Sequence, residues 1–192
     1  MALGAEVLRT YRVRMRDDIE RILIDEEVIH RRLDAMAGEI EREFPPGPLL
    51  VIILLKGALV FAADLLRRVP RVLELECLSV ASYHGGTESS GTVDFLDRHF
   101  PEVRNRHVLL LDDILDTGRT LDAVKRRLME EGAAGVHSAV LLSKDKARAA
   151  HVDADYTGFQ IGDEFVVGYG LDYQGKYRNL PYLGVLKMSV AC

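Results

Sequence analysis

The chain has few cysteines, no excess of basic charge and no long apolar run. Its two cysteines, Cys77 and Cys192, are too few for a disulfide framework or a metal knuckle. Cys77 lies in an apolar stretch and is expected to be a small buried hydrophobe, whereas Cys192 is terminal. A formal net charge of −5 argues against a nucleic-acid or anionic-membrane surface, yet leaves room for a local basic pocket. No apolar stretch approaches the ~20 residues of a membrane span, and the first residues lack the apolar core of a signal peptide. The expectation is a cytoplasmic protein in a reducing compartment, with neither membrane nor nucleic acid as partner. Gly-x-x-x-x-Gly-Lys-Ser/Thr is missing, which excludes a P-loop NTPase. No Gly-x-Gly-x-x-Gly follows the first strand, which weakens a dinucleotide site. There is no internal repeat, linker or low-complexity segment.

What is present is an alternation of buried strands and amphipathic helices. The 192 residues suffice for one domain with a real core. Residues 1–24 read as an arm or short strand. Asp25-Glu26-Glu27 offers a helix start, with Ile29, Leu33, Met36 and Ile40 on one face and Pro45-Pro46-Gly47-Pro48 as the stop. Leu49 to Leu55 is a continuous apolar run suited to a strand buried on both faces of a parallel sheet. A helix over Ala58–Arg68 follows, then strands over Leu73–Val80 and His107–Leu111. The glycine- and hydroxyl-rich segment from Ser82 to Val93 between them reads as a lid loop. Leu121, Val124 and Leu128 mark the inner face of the next helix, which Gly132 stops. Strands over Val136–Leu142, Tyr156–Ile161 and Phe165–Tyr169 complete the pattern, which is α/β with right-handed crossovers. The chain ends fit the alternation poorly and are expected to form a small flanking subdomain.

The run from Val108 to Thr120 carries the chemistry. An apolar strand delivers two adjacent acids, Asp112 and Asp113, whose side chains point to opposite sides of an extended backbone. A carboxylate there can accept two hydrogen bonds from the vicinal hydroxyls of a ribose. Asp116 follows, and then Thr117-Gly118-Arg119-Thr120 opens a helix. The free N–H groups of that turn suit a phosphate, and Gly118 lets the backbone approach it. The plain alternative is an ordinary strand–turn–helix with a threonine cap. Three acids around a phosphate nest are costly without a cation or polyhydroxyl ligand, which favours a binding site.

At these residues the chain resembles the phosphoribosyltransferases, whose signature for phosphoribosyl pyrophosphate is a hydrophobic run, two acids and a Thr-Gly-rich turn. Asp116 narrows the resemblance to the 6-oxopurine (hypoxanthine-guanine) branch, where an acid at that position lies near purine N7. Leu55-Lys56-Gly57, Ser82-Tyr83, Lys144, and Phe165-Val-Val-Gly-Tyr-Gly-Leu-Asp172 followed by Arg178 agree with it. The resemblance implies the type I phosphoribosyltransferase fold, a central parallel sheet flanked by helices. It implies one domain over 1–192, with a core of about 25–160 and a small hood from 1–24 and 161–192.

The implied reaction joins hypoxanthine or guanine to phosphoribosyl pyrophosphate, giving a nucleoside monophosphate and pyrophosphate, with Mg²⁺ as cofactor. The resemblance assigns Asp116 to the N7 proton, Lys144 to the 6-oxo oxygen, Phe165 to stacking on the base and the Val166 backbone to the purine 2-position. Lys56-Gly57 would form a pyrophosphate loop, in some relatives with a cis peptide bond before the lysine. Arg178 would pair with pyrophosphate, Asp172 would meet the metal, and Ser82 and Tyr83 would close over the site. Asp112, Asp113, Thr117, Gly118, Arg119 and Thr120 would hold the ribose 5-phosphate portion. Departures from the family pattern are Asp112, where many members carry the longer Glu, together with Ala58 and Arg119. The six histidines have no metal spacing and receive no role. Rival readings are a regulator that senses phosphoribosyl pyrophosphate and an enzyme preferring xanthine. The resemblance further implies a homodimer or homotetramer.

Overall fold

The computed structural model describes residues 15–82, 93–97 and 99–190. These divide into two compact units, one of residues 30–163 and one of residues 15–29 with 164–190. Each is described on its own.

The larger unit is built on a six-stranded sheet. In chain order its elements are β2 (Leu49–Leu55), α2 (Ala58–Leu66), β3 (Leu73–Ser82), β4 (Val93–Phe95), β5 (His107–Leu115), α3 (Arg119–Glu130), β6 (Gly135–Lys144) and β7 (Tyr156–Ile161). They follow helix α1 (Glu26–Glu43), whose residues Ile29, Leu33, Met36 and Ile40 are all fully buried, as their spacing predicts. The sheet order is β4-β3-β2-β5-β6-β7, parallel except where β4 pairs antiparallel with β3. Central strand β2 is buried from Leu49 to Leu54, which is why its sequence is apolar without alternation.

This order fixes where a ligand can sit. From β2 the chain crosses to β3 on one side, and from β5 to β6 on the other. The connection therefore reverses direction between β2 and β5, and a crevice opens at the carboxyl ends of strands on either side of such a reversal. Pairing between β2 and β5 ends at Ile53 opposite Leu111. Beyond it lie Lys56-Gly57 on one side and Asp112 and Asp113 on the other. One face of the sheet is sealed by α3, whose Leu121, Val124 and Leu128 pack with Leu50, Ile52, Val108, Leu110 and Val140. Helix α2 packs over β2 and β5.

Three expectations need correction. Strand β5 does not stop at Leu111: its pairing with β6 continues through Asp112, Ile114 and Leu115, because β6 itself runs on to Lys144. The two acids therefore lie inside a strand. Cys77 is exposed rather than buried. Leu78 joins the α3-side core, so Cys77 and Leu75 point to the opposite face of β3, where Leu75 is 50% exposed. The strand expected over Phe165–Tyr169 shrinks to β8 (Val166–Val167). Its end is forced by left-handed backbone at Gly168 (φ 99°), Tyr169 (φ 49°) and Gly170 (φ 103°).

The smaller unit holds a three-stranded antiparallel sheet, with β9 (Leu183–Leu186) between β1 (Ile19–Ile24) and β8. Its core gathers Ile19, Val167, Tyr177, Leu180 and Leu186. The Tyr177 hydroxyl donates to Asp18 Oδ2 at 2.8 Å, and burial, with that carboxylate, pushes its pKa up to about 12. No helix among the described residues is long and apolar enough to cross a membrane.

Candidate active site

In the larger unit the carboxyl ends of β2, β5 and β6 carry the predicted residues. The Leu55–Lys56 peptide bond is cis, and Lys56 is exposed. Gly57 has ordinary helical φ, so space rather than conformation demands glycine. A Cβ there would lie 1.5 Å from Asp113 Oδ2. The loop after β2 is thus laid directly against the second acid of β5.

Asp112 and Asp113 turn their carboxylates partly back on the strand. Asp113 N–H donates to Asp112 Oδ1 at 3.0 Å, and Ile114 N–H to Asp113 Oδ1 at 2.9 Å. Burial, reinforced by the Asp113 charge, pushes the Asp112 pKa well above the usual carboxylate range.

The turn that follows is built for close backbone approach. Gly118 has φ 79°, and a Cβ on it would meet Val152 Cγ1 at 2.8 Å and Ala150 O at 3.1 Å. Thr117 O accepts from the N–H groups of Ala149 and Ala150 at 3.0 and 3.2 Å. No side chain caps α3, so the threonine cap of the plain alternative is not formed. Thr120 lies in the first turn, and Arg119 is exposed.

Beside this turn lies a charge cluster only half of which was legible in the sequence. Lys144 ends β6 with its side chain 11% exposed, its Nζ 2.9 Å from Asp163 Oδ1 and 4.0 Å from Asp116 Oδ2. Lys146 Nζ lies 2.5 Å from Asp116 Oδ1 and 3.0 Å from Asp163 Oδ1. Hydrogen bonds from Lys144 and then Lys146 hold the Asp163 carboxyl below its ordinary value. Asp116, and behind it Asp163, raises the Lys146 ammonium. Lys146 and Asp163 were missed. Arg148, also unassigned, ties this segment down through Ser143 Oγ at 2.8 Å, Val152 O at 3.1 Å and the Asp153 carboxylate.

The smaller unit carries the remaining predicted residues. Phe165 is 47% exposed and meets Tyr173 edge to face, with ring centroids 5.6 Å apart. Val166 is buried and paired opposite Val185. Asp172 accepts from Gly175 N–H at 2.6 Å through Oδ2, and its Oδ1 pairs with Arg178 Nη2 at 2.6 Å. Arg178 Nη1 also donates to Gly170 O at 2.6 Å. The residues expected to meet metal and pyrophosphate thus neutralise each other. The backbone of Ser82 closes β3, whereas Tyr83 and the loop up to residue 92 lie outside the described residues.

Comparison with known proteins agrees with this geometry. Residues 22–174 match the family described as phosphoribosyl transferase domain. The chain is 42% identical over 176 residues to a hypoxanthine-guanine phosphoribosyltransferase of Staphylococcus epidermidis, covering 92% of this chain and 98% of that one. The enzyme of that name from Streptococcus pneumoniae is 39% identical over the same shares. A crystal structure of a hypoxanthine phosphoribosyltransferase from Staphylococcus aureus superimposes with a TM-score of 0.87 at 38% identity, covering 93% of this chain and 97% of that one. With its strand order, its acid pair and these relatives in agreement, the chain belongs to the phosphoribosyltransferase family, in its hypoxanthine-guanine branch.

Proposed function

We propose that the chain transfers the 5-phosphoribosyl group from phosphoribosyl pyrophosphate to N9 of hypoxanthine or guanine, releasing the nucleoside monophosphate and pyrophosphate. It is then a pentosyltransferase of purine salvage. The observation that carries this reading is the meeting of Asp116 and Lys144 at adjoining strand ends, 4.0 Å apart. An acceptor and a cationic donor at that spacing match the N7 proton and the 6-oxo oxygen of a 6-oxopurine, which lie on one edge of the base. Asp116 would hold or take the N7 proton as N9 attacks the sugar. Lys144 would donate to the 6-oxo oxygen, Phe165 would stack on the base, and the Val166 backbone would read the 2-position.

For the sugar donor, the Asp112 and Asp113 carboxylates would accept from the ribose hydroxyls. The N–H groups of Thr117, Gly118, Arg119 and Thr120 would hold the 5-phosphate at the uncapped start of α3. Lys56-Gly57 and Arg178 would bind the pyrophosphate, and Ser82 and Tyr83 would shield it from water. We assign Mg²⁺ as cofactor. No group of three acids, histidines or cysteines among the described residues could cage a metal, which fits an ion held chiefly by substrate phosphates. Asp172, stiffened by Gly175 and Arg178, would supply the protein carboxylate. The ion would neutralise charge growing on the departing pyrophosphate.

Lys144→Met tests the base-reading half. Losing a charged hydrogen bond should raise the KM for hypoxanthine about tenfold or more and shrink the preference over adenine. An unchanged preference contradicts the assignment. We also propose a homodimer or homotetramer, supported by exposed Leu75 and Cys77 on one face of β3. Light scattering that returns the 21.5 kDa monomer mass contradicts it.

A further inference from the structure

We propose that Lys146 is a positioning residue for the reaction: it holds the Asp116 carboxylate in place, so that Lys144 is left for the base. This rests on the function proposed above, and nothing in the family resemblance assigns Lys146.

The geometry divides the two lysines by task. Lys144 is 2.9 Å from Asp163 but 4.0 Å from Asp116, so its ammonium is committed to Asp163. Lys146 is the cation in contact with Asp116, at 2.5 Å, and it also reaches Asp163 at 3.0 Å. Asp116 Oδ1 is itself shielded from solvent and forms no other hydrogen bond, so the charge opposite it is Lys146. The cluster holds two carboxylates and two ammonium groups and is neutral as a whole. Without Lys146, two carboxylates would share one ammonium.

The consequence appears when a purine arrives. When Lys144 turns from Asp163 to the 6-oxo oxygen, Lys146, which touches both acids, stays behind to hold them in place. An ionised Asp116 is what can accept the N7 proton. The other charged groups nearby do not substitute for Lys146. Arg148 is engaged by Asp153, Val152 O and Ser143. Asp112 and Asp113, on β5 just before Asp116, are themselves acids. The raised ammonium of Lys146 agrees with a cation that keeps its charge throughout the working pH range.

The test compares wild type, Lys146→Met and Lys146→Arg in steady-state kinetics with each substrate varied in turn, with thermal melts to confirm folding. In Lys146→Met, kcat with hypoxanthine should fall on the order of tenfold, with KM for phosphoribosyl pyrophosphate unchanged. Lys146→Arg, which keeps the cation opposite Asp116, should restore turnover. Unchanged turnover in a folded Lys146→Met, a loss that falls equally on KM for phosphoribosyl pyrophosphate, or a failure of Lys146→Arg to restore turnover overturns the proposal. Wild-type protein inactive with every 6-oxopurine would instead overturn the reading on which it rests.

Discussion

Asp116→Asn should lower kcat with hypoxanthine by about 10²-fold or more and leave KM for phosphoribosyl pyrophosphate within about twofold of wild type. The side chain keeps its size and can still hydrogen-bond, but it can no longer take a proton. It also loses the charge that meets Lys146 at 2.5 Å and Lys144 at 4.0 Å. The sugar donor is assigned to other residues, Asp112, Asp113 and the Thr117–Thr120 turn, so its binding should survive. Steady-state kinetics with each substrate varied in turn separates the two effects. Full turnover in the variant would mean that Asp116 does not handle the proton.

Asp112→Asn should pull stability and function in opposite directions. Burial and the neighbouring Asp113 charge raise the Asp112 pKa in the folded protein above its unfolded value. A raised carboxyl binds its proton more tightly when folded, so the native state loses stability as pH climbs from the unfolded pKa through the folded one. At neutral pH the buried acid is therefore a burden on the free protein. The uncharged amide removes that burden, and the variant should melt a few degrees higher than wild type at pH 7. As pH falls toward the ordinary carboxylate range the gap should close. KM for phosphoribosyl pyrophosphate should rise on the order of tenfold to a hundredfold, because a neutral amide accepts less strongly from ribose hydroxyls. Thermal melts at several pH values and donor saturation curves check both halves. A variant less stable than wild type at pH 7 would contradict the charge argument.

Much of the fold was legible because burial writes itself into periodicity. Leu49–Leu55 reads as a central strand because both of its faces are covered, and α1 shows its buried face at helical spacing. Signals that depend on neighbours were harder to read. The extension of β5 through Asp112 and Asp113 follows from the length of β6 beside it, and a strand ending in acids gives no hint of that partner. Cys77 sits in an apolar run, yet its exposure depends on where α2 lies, over β2 and β5. In the site, the acid pair and Gly118 stood out because they serve local geometry. The resemblance places Gly57 in a pyrophosphate loop without a reason for glycine there, whereas the structure ties it to the space taken by Asp113. Lys146 and Asp163 were invisible because their partners lie on other strands, and a charged residue at a strand end usually means only solvent.

The most direct measurement incubates the purified chain with Mg²⁺, phosphoribosyl pyrophosphate and, separately, hypoxanthine, guanine, xanthine and adenine, and follows nucleotide and pyrophosphate together. The arrangement of Asp116 and Lys144 predicts equimolar nucleotide and pyrophosphate from hypoxanthine or guanine, with adenine left unreacted. Failure to form nucleotide from any 6-oxopurine would contradict the account.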